Sequence, residues 1–299
     1  MKAMTKLGLL VLTAMAMAGC ATGGMPTDAV GAVSKAWEKR EAITKTATAL
    51  RKGFSDLTPE EEYFIGRAVA ARILSDYKPA NDPAKTHYIN LVGDNVAKNS
   101  KMPLTFKGYH FMLVSSDEVN AFAAPGGFVF VTTGLYSKLA SEEQLAAVLA
   151  HEVAHVSLKH GLSSIKAANL TQAFTILGTE AAKEYSGAQL GELTKAFENS
   201  INDIINNLVV NGYSRSQEYD ADSEALTTAY RAGYNPKGLS EFLKTLSSGA
   251  KSANNAGFFK THPPASDRLK EADKIIASSK LTGEEDPARQ SRFKKFAMK

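Results

Sequence analysis

Cysteine is almost missing from this chain, whose 299 residues contain one. That count alone excludes an intramolecular disulfide framework, a cysteine-rich zinc module and a C-x-x-C redox site. Charge of one sign is scarce too. The 35 basic residues against 31 acidic ones leave a formal net charge of +4, too little to make nucleic acid the main partner. Charged residues at 22% and hydrophobic residues at 44% exclude disordered and collagen-like classes. They also supply enough apolar material for a sizeable core. Long apolar runs are lacking. The run near the N-terminus, Leu7 to Ala18, is about a dozen residues, too short to span a bilayer as a mature helix. Further on, the longest uncharged stretch, Val119 to Ser137, is interrupted by Asn120, Pro125, Gly126, Gly127, Thr132 and Thr133. It cannot be a lipid-facing helix and reads as loop followed by strand.

The place of the single cysteine is informative. Lys2 and Lys6 give a basic start, the apolar run follows, and the small residues Ala18 and Gly19 precede Cys20. Residues 1–19 are therefore expected to be a signal peptide. Met17-Ala18-Gly19-Cys20 resembles a bacterial lipobox, with Met where Leu is most frequent. That resemblance implies that Cys20 carries lipid as the first residue of the mature protein. Several acyl chains anchor stably, since each buried methylene contributes about 0.8 kcal/mol. Ala21 in place of Asp after the cysteine implies sorting to the outer membrane, facing the periplasm. Residues 20–56 read as lipid anchor, flexible tether and a helix over Asp28 to Lys52.

The main domain is expected over 57–280, and a charged tail over 281–299. Thr58-Pro59-Glu60-Glu61 combines an N-cap, a first-turn proline and a capping-box glutamate. Asn81-Asp82-Pro83 breaks that helix, and a second is expected over Lys85 to Lys98. Tyr109 to Val114 and Phe128 to Thr133 are rich in strand formers. From Ser141 to about Lys280 the pattern is helical. These features predict a mostly helical α+β fold with a small sheet.

His151-Glu152-Val153-Ala154-His155 carries the chemistry. Four residues apart on a helix, His151 and His155 share a face and can bind one metal ion. Glu152 lies about 100° around, placed to act on a water without ligating. Ser141 and Gln144 supply a capping box, and Gly161 a C-cap, for the helix that bears them. His160 falls about 180° from His151 on a regular wheel and is expected at the surface. A catalytic zinc needs a third protein ligand. The candidates are His87, His110, His262 and the acidic cluster Glu218, Asp220, Asp222 and Glu224. Arg215, Glu218 and Asp222 share one helix face, as a carboxylate ligand with its supporting groups would.

Four separated motifs now make the sequence recognisable: Asn120 to Gly127, the histidine helix, Ser214 to Glu218 with Ala221-Asp222, and Thr261-His262-Pro263 with Arg268. Over about Leu57 to Ile276 the chain resembles the HtpX-like and CAAX-prenyl-endopeptidase family of zinc metallopeptidases, which includes lipid-anchored envelope proteases of bacteria. The resemblance implies a zincin-type domain binding one Zn²⁺ through His151, His155 and Glu218. It implies Asp222 as partner of a ligand histidine, and His262 as a residue that assists catalysis or covers the metal. Glu152 is the expected general base. The expected substrates are unfolded or misassembled envelope proteins, held along an exposed edge strand involving Asn120, Phe128, Val129 and Phe130. A second reading, from another class, is a membrane-anchored chaperone-like binding module with a closed or structural zinc.

Overall fold

A computed structural model of the chain describes residues 57–165, 198–248, 261–284 and 286–297. The signal peptide, Cys20, the tether and the helix expected over Asp28 to Lys52 lie outside the described residues. The chain divides into two units, Met1–Arg51 and Lys52–Lys299, and the described residues all belong to the second.

Helix α1 (Pro59–Asp76) begins as its sequence dictates. The Glu61 N–H donates to Thr58 Oγ1 at 3.2 Å, and the Thr58 N–H donates to Glu61 Oε2 at 2.7 Å. Asp82 caps α2 (Pro83–Lys98) by accepting from the Lys85 N–H. Three strands follow: β1 (His110–Val114), β2 (Ala121–Ala124) and β3 (Phe128–Thr132). Their order is β1-β3-β2, with β3 parallel to β1 and antiparallel to β2.

That order corrects one expectation. Phe128, Val129 and Phe130 lie on the central strand, hydrogen-bonded on both sides, and not on an exposed edge. The strand is buried on both faces, so it reads as one apolar run. Val129 and Val131 face one core with Phe111, Leu113, Ala121 and Ala123. Phe130 faces a second with Phe122, Val114 and Ile73. The edge strands are β1 and β2; β2 is buried along its length and lies in a stretch whose sequence suggests only a loop.

Short helix α3 (Thr133–Tyr136) leads into α4 (Glu142–Ser157), which bears the histidines and packs on the larger core. Ser141 caps α4 as expected, accepting from the Gln144 N–H at 3.2 Å. The Gln144 side chain accepts instead from the Ala140 N–H, so the box is only half formed. Beyond α4 come a single turn, α5 (His160–Ser163), a π-helical turn (Asn206–Asn211), and helices α6 (Arg215–Arg231), α7 (Lys237–Ser248) and α8 (Ala265–Ser279). Among the described residues no helix is long and apolar enough to cross a membrane.

The segment expected to trail as a charged tail forms α9 (Pro287–Ala297) and docks on the start of α4. Glu142 and Glu143 suit the positive end of that helix, but both are buried and need partners. Arg292 Nε donates to Glu142 Oε2 at 2.7 Å and Arg289 Nη1 to Glu143 Oε1 at 3.2 Å. Phe293 is buried beside them, and Phe296 stacks on Tyr88. The far end of the chain thus braces the helix that carries the site.

Candidate metal centre

Two helices and one loop converge. Helix α4 presents His151 and His155, α6 presents Glu218 from its first turn, and His262 comes from the segment entering α8. A capping box starts α6, with Ser214 and Gln217 satisfying each other's backbone N–H groups. Each of the four side chains offers a ligand atom, and these atoms all lie within 4.8 Å of one another. His151 Nε2 is 3.0 Å from His155 Nε2, and Glu218 oxygens are 3.5 Å from both. Atoms each about 2.0–2.1 Å from one tetrahedral ion stand about 3.3–3.4 Å apart. The spacing fits zinc. His87 and His110, considered from the sequence as a third ligand, are exposed and outside this cluster.

The charge fits as well. Glu152, Glu218 and Asp222 are buried together with one guanidinium, that of Arg268. With the ligand imidazoles neutral and all three carboxyls ionised, as a bound divalent cation would keep them, these groups carry a formal charge of about −2, which that cation cancels. Burial, and then the Glu218 charge, push the Glu152 carboxyl up to about 8. Burial pushes Glu218 up too, but His262 and Arg268 outweigh it and hold that carboxyl well below the usual range. Burial, then Arg268, lowers His151 to about 3, and burial lowers His155, so both ligands are neutral and free to bind metal.

Asp222 accepts from His151 Nδ1 at 3.0 Å. It is gripped in turn by Arg268 of α8, whose Nε and Nη2 donate to it at 2.8 and 2.7 Å. Arg268 Nη1 reaches Glu218 Oε2 at 3.1 Å. Burial raises Asp222, yet Arg268 and the bond with His151 bring its pKa to about 2. Arg215, expected beside these groups, is not there. Its side chain is 68% exposed, with Nη1 3.9 Å from Asp267. Glu218 and Asp222 are both buried residues of α6, but Arg215 is the first residue of that helix and its side chain leaves the helix end for solvent.

His160 is the other correction. Helix α4 stops at Ser157, and Lys159 adopts left-handed backbone angles (φ 57, ψ 32), which turn the chain back on itself. His160 is therefore buried, its Nδ1 2.9 Å from His155 Nδ1. Lys159, not Gly161, takes the left-handed position after the helix. Tyr213 stacks on the His155 ring, with centroids 4.1 Å apart and planes 16° from parallel. Neither contact is legible in spacing alone.

Asn120 is buried just before the edge strand β2. Its Oδ1 accepts from the Ala121 N–H at 3.0 Å and from Thr261 Oγ1 at 3.4 Å. Ala123 and Pro125 line a small recess with His155, so β2 and the turn after it adjoin the centre. His262 Nδ1 lies 2.9 and 2.8 Å from the Glu218 oxygens.

Comparison with known proteins agrees with this geometry. The family model described as Peptidase family M48 matches residues 83–276. The beta-barrel assembly-enhancing protease of Escherichia coli is 28% identical over 223 residues, 73% of this chain and 44% of that protein. Metalloprotease YcaL of the same organism is 28% identical over 189 residues, 63% of this chain and 67% of its own. Metalloprotease LoiP, also from Escherichia coli, is 26% identical over 258 residues, 86% of this chain and 92% of its own. The chain spans less than half the length of the beta-barrel assembly-enhancing proteases it matches.

Proposed function

Because the chain belongs to peptidase family M48, we propose that it is a zinc-dependent endopeptidase of the bacterial envelope, acting on unfolded or misassembled envelope proteins. The observation that carries this reading is the buried convergence of His151, His155 and Glu218 with Glu152 beside them. Zn²⁺, when held by those three ligands, supplies a Lewis acid that polarises the scissile carbonyl and acidifies a water. Glu152 takes the proton of the attacking water as its oxygen bonds to the carbonyl carbon. It then delivers that proton to the amine as the C–N bond breaks. Asp222 holds His151 in the tautomer that leaves Nε2 free. His262, as a donor near the developing oxyanion, adds electrostatic stabilisation.

β2 is paired on one side only, and its other side, buried in this structure, would offer backbone groups to an extended peptide once uncovered, a mode that reads little side-chain sequence and so suits unfolded chains. This assigns to β2 the part first expected of Phe128 to Phe130. Envelope substrates are favoured by the name of the beta-barrel assembly-enhancing relative and by the lipobox-like Met17 to Cys20. In the lipoprotein reading Cys20 carries acyl chains and tethers the enzyme to the outer membrane, on its periplasmic side. Mass spectrometry of the mature N-terminus is expected to find an acylated Cys20. An unmodified cysteine, or cleavage elsewhere, removes the membrane from the proposal.

A second reading is favoured by one specific observation: His262 stands within the ligand set. A zinc with four protein ligands has no open position, and the protein would then bind unfolded chains without cutting them. One experiment addresses both readings. The wild-type protein is expected to digest casein, to stop when a chelator removes the metal, and to resume with added Zn²⁺. His262→Ala lowers cleavage if the side chain serves catalysis and raises it if the side chain closes the site. Zinc-loaded protein that binds casein but never cuts it, with or without His262, would sink the enzyme.

A further inference from the structure

His155 turns one ring nitrogen to the centre and the other away from it. Its Nε2 is 3.0 Å from His151 Nε2 and 3.5 Å from Glu218 Oε1, whereas its Nδ1 lies 2.9 Å from Nδ1 of His160. An imidazole that ligates a cation through Nε2 is neutral and carries its single proton on Nδ1. The His155 Nδ1–H must therefore donate, and His160 Nδ1 must accept. Acceptance there fixes His160 as the tautomer protonated on Nε2.

We propose that His160 is a positioning residue of the zinc site, accepting the Nδ1–H of His155 and so holding that ligand's tautomer and ring rotation. The proposal rests on the reading of His151, His155 and Glu218 as zinc ligands. His160 then does for His155 what Asp222 does for His151, with a neutral acceptor in place of an anion.

The backbone is bent to make this contact. A regular helix would carry residue 160 about 140° around from residue 155, out of reach. The left-handed turn at Lys159 brings it back, and a non-glycine residue adopts that conformation at a cost of about 1–2 kcal/mol. The turn is secured on α1, where Lys159 Nζ meets the buried Glu62 Oε2 at 3.0 Å. The His155 ring is thus fixed in its plane by Tyr213, stacked at 4.1 Å, and in rotation by His160, whose ring meets it at 69°.

Two amide variants of the full chain isolate the role. In His160→Asn the side-chain amide oxygen can stand where Nδ1 stands. In His160→Gln it reaches the place of Nε2, and the Nδ1 place is empty. Both are polar and similar in size, so a packing role would treat them alike. Zinc affinity is measured by competition with a chromophoric chelator, with melting of the metal-free proteins alongside. His160→Asn is expected to bind zinc close to wild type and His160→Gln about 10–100-fold more weakly, with similar metal-free melting. Equal affinity in the two variants overturns the proposal. A wild-type chain whose zinc affinity is untouched by Glu218→Gln would instead overturn the ligand assignment beneath it.

Discussion

Glu152→Gln is expected to abolish casein cleavage, a fall of about 10²–10⁴-fold, while zinc content stays at one per chain. The two halves of that outcome come from different features of the centre. Glu152 is buried beside the cluster but is not one of the four residues whose atoms converge to ligand distance. Glutamine has nearly the same shape, so the packing of α4 and the ligand geometry survive. What is lost is the acceptor that takes the proton of the attacking water and returns it to the amine. The substitution also removes a charge that is costly without metal. The pKa of Glu152 is raised from its ordinary 4.5 to about 8 by burial and then by Glu218. An acid whose folded pKa is raised costs stability as pH rises from its unfolded value towards its folded one. Chelated wild type should therefore lose stability between about pH 4.5 and pH 8 through this group, and chelated Glu152→Gln should lose less. Cleavage retained by the variant would withdraw Glu152 as the base. Zinc lost with the activity would recast it as a ligand.

What the sequence conveys here follows the range of the interactions. Caps act over three residues, and Thr58 with Glu61 and Ser141 with the Gln144 N–H, both legible in the sequence, form locally. His151 and His155 are one helical turn apart, so their convergence is a property of the helix alone. β2 is harder to read, because Ala121, Ala123 and Ala124 have little strand preference of their own and depend on pairing with β3. Strand order is set by the whole chain, and so Phe128 to Phe130, apolar enough for either place, were expected at an edge and lie at the centre. His160 departs from the regular helical wheel through a single residue's backbone, since lysine gives no sign that it will turn left-handed. The role of Arg268, which stands in one of the sequence motifs, is hidden by distance. Arg215 is seven residues from Asp222 in sequence, whereas Arg268 is 46 residues from it. Only folding α8 against α6 shows which guanidinium belongs to the site.

Arg268→Met should cost the metal-free protein about 3–5 kcal/mol, the range for removing one partner of a buried ion pair. Arg268 is only 1% exposed, and its guanidinium answers two buried carboxylates at once. Nε and Nη2 hold both oxygens of Asp222, and Nη1 reaches Glu218. Methionine fills much of the volume and supplies none of the charge, so Asp222, Glu218 and Glu152 would share a buried pocket with only the neighbouring histidines to answer them. Lysine would keep the charge but not the fork that bridges two acids, and should recover only part of the loss. Zinc makes the effect conditional. A divalent cation bound among the same carboxylates restores much of the missing positive charge, so urea unfolding should separate variant and wild type more without zinc than with it. Adding Asp222→Asn to Arg268→Met removes one of the stranded charges, and the double variant should be more stable than the sum of the single changes allows. Strict additivity, or a metal-free variant as stable as wild type, would mean that Arg268 is not what neutralises the pocket. In that case α8 is held to α6 by packing alone, and the placement of His262, six residues before Arg268, needs another cause.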